Sequence, residues 1–328
     1  MSQVNVAVIG TGDWGKNLVR VFHKLSVLAA ICDINHKKAE ETAFQYRVRN
    51  LTWEQILESK EIDAVVIATN KSHYRFVKQA LYANKHVFVE KPLAPNIEQA
   101  KELCDIACQV NKKIMIGHLL HYHSAFIELQ KLCNSQMLGE VHYAYSNRLS
   151  FGKIMPEEDV LWNFASHDIS MMLALMGKPK SINTFANYFF NKNIADQTII
   201  KLNFSEHKQG HVFVSWLHPI KERKFVVIGS KAMAVFDDTL DWSKKLCLYE
   251  HTSEVKDHTP VLKNLSSKFI EIKDQEEPLL KEANHFLQCI IQNTTPQTDG
   301  QEALSVLQII EQASRQLRAQ QKKLSPII

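Results

Sequence analysis

Three stretches of this 328-residue chain carry side chains able to do chemistry. The first is Gly10-Thr11-Gly12-Asp13-Trp14-Gly15, a G-x-G-x-x-G set between an apolar run and a helical pattern. Such spacing suits a dinucleotide. Gly10 permits a tight turn, Gly12 lets the backbone approach a pyrophosphate, and Gly15 lets helix and strand pack closely. The N–H groups and dipole at the helix start favour the phosphates. Asp33 closes the second apolar run, eighteen residues after Gly15. A carboxylate there accepts hydrogen bonds from a ribose 2′-hydroxyl and repels a 2′-phosphate, which points to NAD rather than NADP. Thr11, Asp13 and Trp14 lie within the same turn and are expected to touch the cofactor.

The second stretch is VFVEKP, Val87 to Pro92. An apolar run ends in an acid, a base and a proline. If the run is a buried strand of a doubly wound sheet, Glu90 and Lys91 emerge at its carboxyl end, beside a nicotinamide. A lysine there can polarise a substrate oxygen or stabilise a developing alkoxide, and Pro92 restricts the turn that carries it. Thr69 and Asn70, at the end of the preceding strand, and His73 just beyond them are assigned to the same edge as cofactor contacts.

The third stretch, LWNFASHDIS, holds His167 at the start of an apolar helical pattern. A helix N-terminus disfavours imidazolium, so the ring is expected to be neutral and ready to accept a proton. Asp168 is adjacent, but neighbouring helical side chains diverge. Asn163 and Tyr122 are assigned to the substrate. The run Gly117-His118-Leu-Leu-His121-Tyr122-His123 has three histidines without Cys or carboxylate at ligand spacing, so no metal site is predicted. Arg148, in YSNRLS, suits a diphosphate or sugar hydroxyls, with a plain sheet-surface arginine as the alternative.

These groups need elements to hold them. Through residue 117 the pattern alternates. Strands are predicted at 4–9, 27–32, 62–68, 87–90 and 114–117, and helices at 14–25, 37–45, 73–82 and 97–109, with Asn96 as the N-cap of the last. Continuous β-branched runs between helices imply parallel strands buried on both faces, hence a doubly wound α/β sheet. Beyond it a helix at 124–132, a strand at 141–150 and a helix at 167–176 lead into strands at 198–204, 211–217, 224–228 and 233–236. The first two of those four read as a hairpin. Helices at 279–291 and 302–320 follow. The division is 1–118 for an NAD-binding domain and 119–328 for an α+β substrate domain with a large, mostly antiparallel open sheet. Where the last helix docks stays open.

The combination of G-x-G-x-x-G, Ala68-Thr69 and ANKHVFVEKPLA resembles the glucose–fructose oxidoreductase/inositol dehydrogenase/rhizopine catabolism (GFO/IDH/MocA) family. The resemblance implies that Lys91 lies between nicotinamide and substrate and that Pro92 follows a cis bond. It implies that His167 takes the substrate hydroxyl proton, with Lys91 and His167 as the catalytic pair. The family pattern has Thr-Pro where this chain has Thr69-Asn70, and an aspartate where it has Asn163. Longer strings, among them GHLLHYH, YSNRLSFGKI, LWNFASHDIS and PLLKEANHFLQCI, resemble the nucleotide-sugar branch of the family. That branch implies NAD-dependent oxidation of the C3 hydroxyl of UDP-N-acetylglucosamine. A PLP-dependent aminotransferase would act next, toward amino sugars of lipid A or surface polysaccharide, and a homodimer or homotetramer is implied. Another nucleotide sugar (UDP-N-acetylglucosaminuronate or a dTDP-keto sugar) and a non-catalytic NAD-binding regulator are the alternatives.

The bulk composition excludes other classes. Lys and Arg number 39 against 35 Asp and Glu, a net +4, and are spread along the chain, so no nucleic-acid partner is expected. No apolar run reaches bilayer length and the N-terminal ten residues lack a basic n-region, so no membrane partner or signal peptide is expected. Six cysteines without a CxxC fit a reducing cytoplasm.

Overall fold

The computed structural model describes residues 4–69, 72–151, 154, 158–205, 207–256 and 259–324. The chain divides into two units: residues 1–122 with 276–307, and residues 123–275 with 308–328.

The first unit alternates strand and helix: β1 (Val6–Ile9), α1 (Gly15–Lys24), β2 (Leu28–Cys32), α2 (His36–Tyr46), β3 (Arg49–Asn50), α3 (Trp53–Glu58), β4 (Ala64–Ile67), α4 (His73–Tyr82), β5 (His86–Val89), α5 (Ile97–Gln109) and β6 (Ile114–Ile116). The sheet order is β3-β2-β1-β4-β5-β6, with every pair parallel. β1 (VAVI) and β4 (AVVI) are buried along their whole length, as strands covered on both faces must be. Asn96 caps α5 by accepting from the Gln99 N–H at 2.9 Å, as its position predicted. The order turns back between β1 and β4, which in open α/β sheets is where ligands bind, off the carboxyl ends of the strands.

The first unit also takes residues 276–307, which the sequence division had put in the second domain. The reason is the apolar face of α8 (Pro278–Gln292). Leu279, Leu280, Ala283, Phe286 and Leu287 join the core of β1, α1 and β5. Phe286 lies edge-on to Phe88 at 5.8 Å, and Phe88 edge-on to Phe22 at 6.3 Å. Each buried Leu or Phe contributes about 2 kcal/mol, enough together to hold a helix in place. Beyond α8, Thr298 pairs with Ile116 through N–H···O and Oγ1···O bonds of 2.8 Å, which covers the β6 edge.

The second unit holds α6 (Ser124–Asn134), β7 (Val141–Phe151), α7 (Val160–Met176), β8 (Ser181–Asn187), β9 (Gln197–Ser205), β10 (Lys208–Ser215), β11 (Leu217–Gly229), β12 (Ala232–Asp237), β13 (Leu246–Lys256) and β14 (Thr259–Phe269). Its eight strands run β14-β13-β12-β11-β7-β10-β9-β8. All pairs are antiparallel except β7 with β10. β9 and β10 form the predicted hairpin. Strands β8, β13 and β14 escaped the sequence reading because polar and charged residues dilute their apolar alternation. The helix α7 covers one face of the sheet against β7, β9 and β10. A Cβ at Gly210 would lie 2.5 Å from the Ala144 carbonyl and 3.3 Å from Met172 Sδ, so only glycine permits this approach. The last helix, α9 (Gly300–Leu324), starts in the first unit and ends in the second. Among the described residues no helix is long and apolar enough to cross a membrane.

Candidate functional site

The glycine turn has three different requirements. Gly10 has φ +90°, and a Cβ there would sit 2.8 Å from the Ala68 carbonyl oxygen. A Cβ on Gly15 would fall 2.0 Å from the Gly10 carbonyl oxygen, so helix and strand could not approach. A Cβ on Gly12 would meet nothing within 4 Å. No protein contact demands glycine there, and the open space suits a pyrophosphate lying close to the backbone at the start of α1.

Asp33 follows β2, and its carboxylate is built in. Oδ2 accepts from the Thr11 N–H at 2.6 Å and the Thr11 hydroxyl at 2.8 Å, and Oδ1 accepts from the Asn35 N–H at 2.9 Å. Burial works to raise this carboxyl, but the bonds from Thr11 and Asn35, with Lys38 nearby, outweigh it and hold it below the usual carboxylate range. Asp33 is therefore ionised, as ribose recognition requires. The Thr11 hydroxyl is committed to Asp33, an anchoring role that spacing alone did not reveal. Asp13 is exposed in the same turn.

At the end of β5 the Lys91–Pro92 bond is cis, as the family resemblance implied. Glu90 accepts from the Trp14 indole N–H at 2.5 Å, across 76 residues of sequence. Its carboxylate packs on Gly117, where a Cβ would stand 2.9 Å from both oxygens. Burial pushes Glu90 up to about 7, against opposing pulls from Trp14, Lys91 and His118. Behind it lies Glu282 of α8, wholly buried, with neither carboxyl oxygen hydrogen-bonded. Burial, reinforced by the charge of Glu90, holds Glu282 well above the ordinary range. Nothing in the spacing of α8 signalled this second acid.

His73 uses both ring nitrogens on main-chain carbonyls: Nδ1 lies 2.7 Å from Pro92 O and Nε2 2.6 Å from Thr69 O. It therefore holds backbone and has no ring nitrogen left over for a cofactor. Asn70 lies outside the described residues.

The three histidines after β6 go to separate partners. His118 Nδ1 lies 2.6 Å from Glu302 Oε2, and His121 Nδ1 is 3.4 Å from Gln297 Nε2. In the second unit His123 accepts from the Ala125 N–H at 3.1 Å and stacks on Trp242. Tyr122, assigned to the substrate, is instead a core residue of the first unit. It is 4% exposed, and its hydroxyl meets Thr298 Oγ1 at 3.3 Å. Its ring is drawn in because it completes the apolar cluster around α8.

In the second unit α7 begins at Val160, capped by Asp159, which accepts from the Trp162 N–H at 3.1 Å. His167 is thus two turns inside the helix and not at the N-terminus where the sequence pattern had put it. The apolar pattern had hidden the first two turns, which carry Trp162 and Asn163. Asn163 lies one turn before His167, on the same helical face, and donates to Glu158 Oε2 at 3.1 Å. Asp168 faces elsewhere. It pairs with the Arg148 Nε and accepts from the Ser146 hydroxyl. Arg148, assigned to a diphosphate or sugar, is corrected to one half of a largely buried ion pair. Alternation along β7 turns Ala144, Ser146 and Arg148 to the face covered by α7.

A parallel sheet of this order, a glycine turn open at Gly12 and an ionised acid closing β2 make the chain an NAD-binding oxidoreductase with a Rossmann sheet. It belongs to the GFO/IDH/MocA family. Residues 4–118 match the family's model described as "Oxidoreductase family, NAD-binding Rossmann fold", and residues 126–235 match its C-terminal domain. An uncharacterised Escherichia coli K12 oxidoreductase, YhhX, is 25% identical over 298 residues, 86% of each chain. The UDP-N-acetylglucosamine 3-dehydrogenase of Acidithiobacillus ferrooxidans is 30% identical over 179 residues, which is 54% of this chain and 56% of that enzyme. Its solved structure superposes with a TM-score of 0.84 at 22% identity, covering 98% of this chain and all of that one, a likeness of fold. An inositol 2-dehydrogenase/D-chiro-inositol 3-dehydrogenase of Lactiplantibacillus plantarum is 26% identical over 161 residues, 47% of this chain and 45% of that enzyme.

Proposed function

We propose that the protein oxidises the C3 hydroxyl of UDP-N-acetylglucosamine to a ketone. The observation that carries the chemistry is Lys91, which leaves the carboxyl end of β5 on the same sheet edge where Gly12 leaves room for a pyrophosphate. The 30% identity to the UDP-N-acetylglucosamine 3-dehydrogenase supports the substrate. Bound NAD supplies the hydride acceptor. Lys91 donates to the C3 oxygen and stabilises the alkoxide as it forms. His167 takes the hydroxyl proton, and such base assistance is worth roughly 10²–10⁴-fold. Asn163, in place of a carboxylate, orients without charge, so Lys91 bears more of the electrostatic load. Asp33 holds the adenosine ribose.

The 3-keto product has the right functional group for a PLP-dependent aminotransferase acting next. The face of the eight-stranded sheet turned away from α7 supports a homodimer or homotetramer, because alternation leaves Phe185, Ile199, Tyr249 and Phe269 exposed there. A second reading, oxidation of a free cyclic polyol, is favoured by the inositol dehydrogenase similarity and by the capture of Arg148 by Asp168. NADH formation over a panel of UDP- and dTDP-sugars, UDP-N-acetylglucosaminuronate and inositols separates these readings. Turnover of inositols alone defeats the first, and no turnover on any substrate favours a regulator.

A further inference from the structure

His73 opens α4 and is 8% exposed. Its Nδ1 lies 2.7 Å from the Pro92 carbonyl oxygen and its Nε2 2.6 Å from the Thr69 carbonyl oxygen. Carbonyl oxygens only accept, and a neutral imidazole has a single N–H to give. Two contacts this short, to two acceptors, require a proton on each nitrogen. We propose that His73 is a positioning residue held as imidazolium, whose two N–H groups clip the turn after β4 to the turn that carries Lys91.

The clip extends a chain of close contacts along one edge of the sheet. Gly10, in the glycine turn, packs on the Ala68 carbonyl so closely that a Cβ would clash at 2.8 Å. Ala68 leads into Thr69, and Thr69 is held by His73. The other nitrogen of His73 holds Pro92, the residue after Lys91. One side chain thus connects the phosphate-binding turn to the proposed catalytic lysine. The start of α4 is a poor place for a cation, because the helix dipole opposes it, so the two carbonyls are what hold the charge there. Among the described residues, the other charges on the elements His73 joins are Arg75 and Lys78 of α4, with Glu90 and Lys91 beside Pro92. Lys78 is already paired with Glu102 of α5.

The charge state stands on the geometry alone, whereas the effect on turnover rests on the proposed role of Lys91. Two measurements keep these apart. Nitrogen-15 spectra of the labelled full chain at neutral pH, assigned by comparison with His73→Asn, should show both His73 ring nitrogens protonated; a neutral tautomer overturns the proposal. In turnover assays His73→Gln, folded as judged by circular dichroism, should lose about tenfold in kcat with KM for NAD changed less than about twofold. His73→Lys, which keeps a cation able to donate to two carbonyls, should recover most of that loss. Equal losses in the two variants overturn the positioning role. If no substrate is turned over, the proposed function fails while the ring spectrum still decides the state of His73.

Discussion

Glu90→Gln isolates the cost of burying a carboxylate at the end of β5. The amide keeps an oxygen to accept from the Trp14 indole but has no proton to lose. In the folded protein burial raises the Glu90 carboxyl from 4.5 to about 7, despite opposing contributions from Trp14, Lys91 and His118. A folded value above the unfolded one means that the native state binds the proton more tightly. The stabilisation is complete below about pH 4.5 and is lost as pH rises through about 7. At 1.36 kcal/mol for each pH unit, that gap amounts to about 3 kcal/mol. Urea unfolding of both proteins at intervals from about pH 5 to about pH 8 reads it directly. The stability of Glu90→Gln relative to the unmodified chain should rise by about 2.5 kcal/mol over that range, with most of the rise complete by about pH 7. Glu282 is common to both proteins, and burial, the larger cause of its shift, holds it well above the ordinary range in each. Two curves that run parallel across the range would mean that Glu90 titrates like a solvated acid, and the reading of its burial would be wrong.

Other substitutions test separate parts of the site. Gly15→Ala should cost at least about 3 kcal/mol in unfolding experiments, because its Cβ falls 2.0 Å from the Gly10 carbonyl oxygen. Gly12→Ala should melt like the unmodified protein, with NAD affinity lowered about tenfold in a fluorescence titration; the reverse pattern would contradict the roles given to the two glycines. Asp33→Ala should weaken NAD binding and relax discrimination against NADP, and equal use of both cofactors by the unmodified protein would already contradict the ribose role. Lys91→Ala and His167→Ala should each lower turnover about a hundredfold with NAD affinity nearly unchanged, and near-normal turnover in either would remove that residue from the chemistry.

Sequence alone determined what depends on near neighbours in the chain. The β1 turn, the acid closing β2, the lysine after β5 and the Asn96 cap are local patterns. Each is read from spacing because strand, turn and helix each have a fixed period, and because a helix start has a few preferred caps. Only the tertiary structure decided what each polar group faces. Glu90 meets Trp14 across 76 residues, His118 meets Glu302 across 184, and Arg148 meets Asp168 because β7 and α7 lie face to face. His73 was read from its position as a cofactor contact and not as a clip between two carbonyls, and Glu282 was invisible as a functional group. A carbonyl acceptor leaves no mark in a sequence, and a carboxyl on a helix looks solvated until a core closes over it. Likewise, α8 carried an apolar stripe that nothing in its own residues assigned to either unit; burial against α1 and Phe88 did so. Periodicity tells which face of an element avoids water, but only packing chooses the surface that covers it.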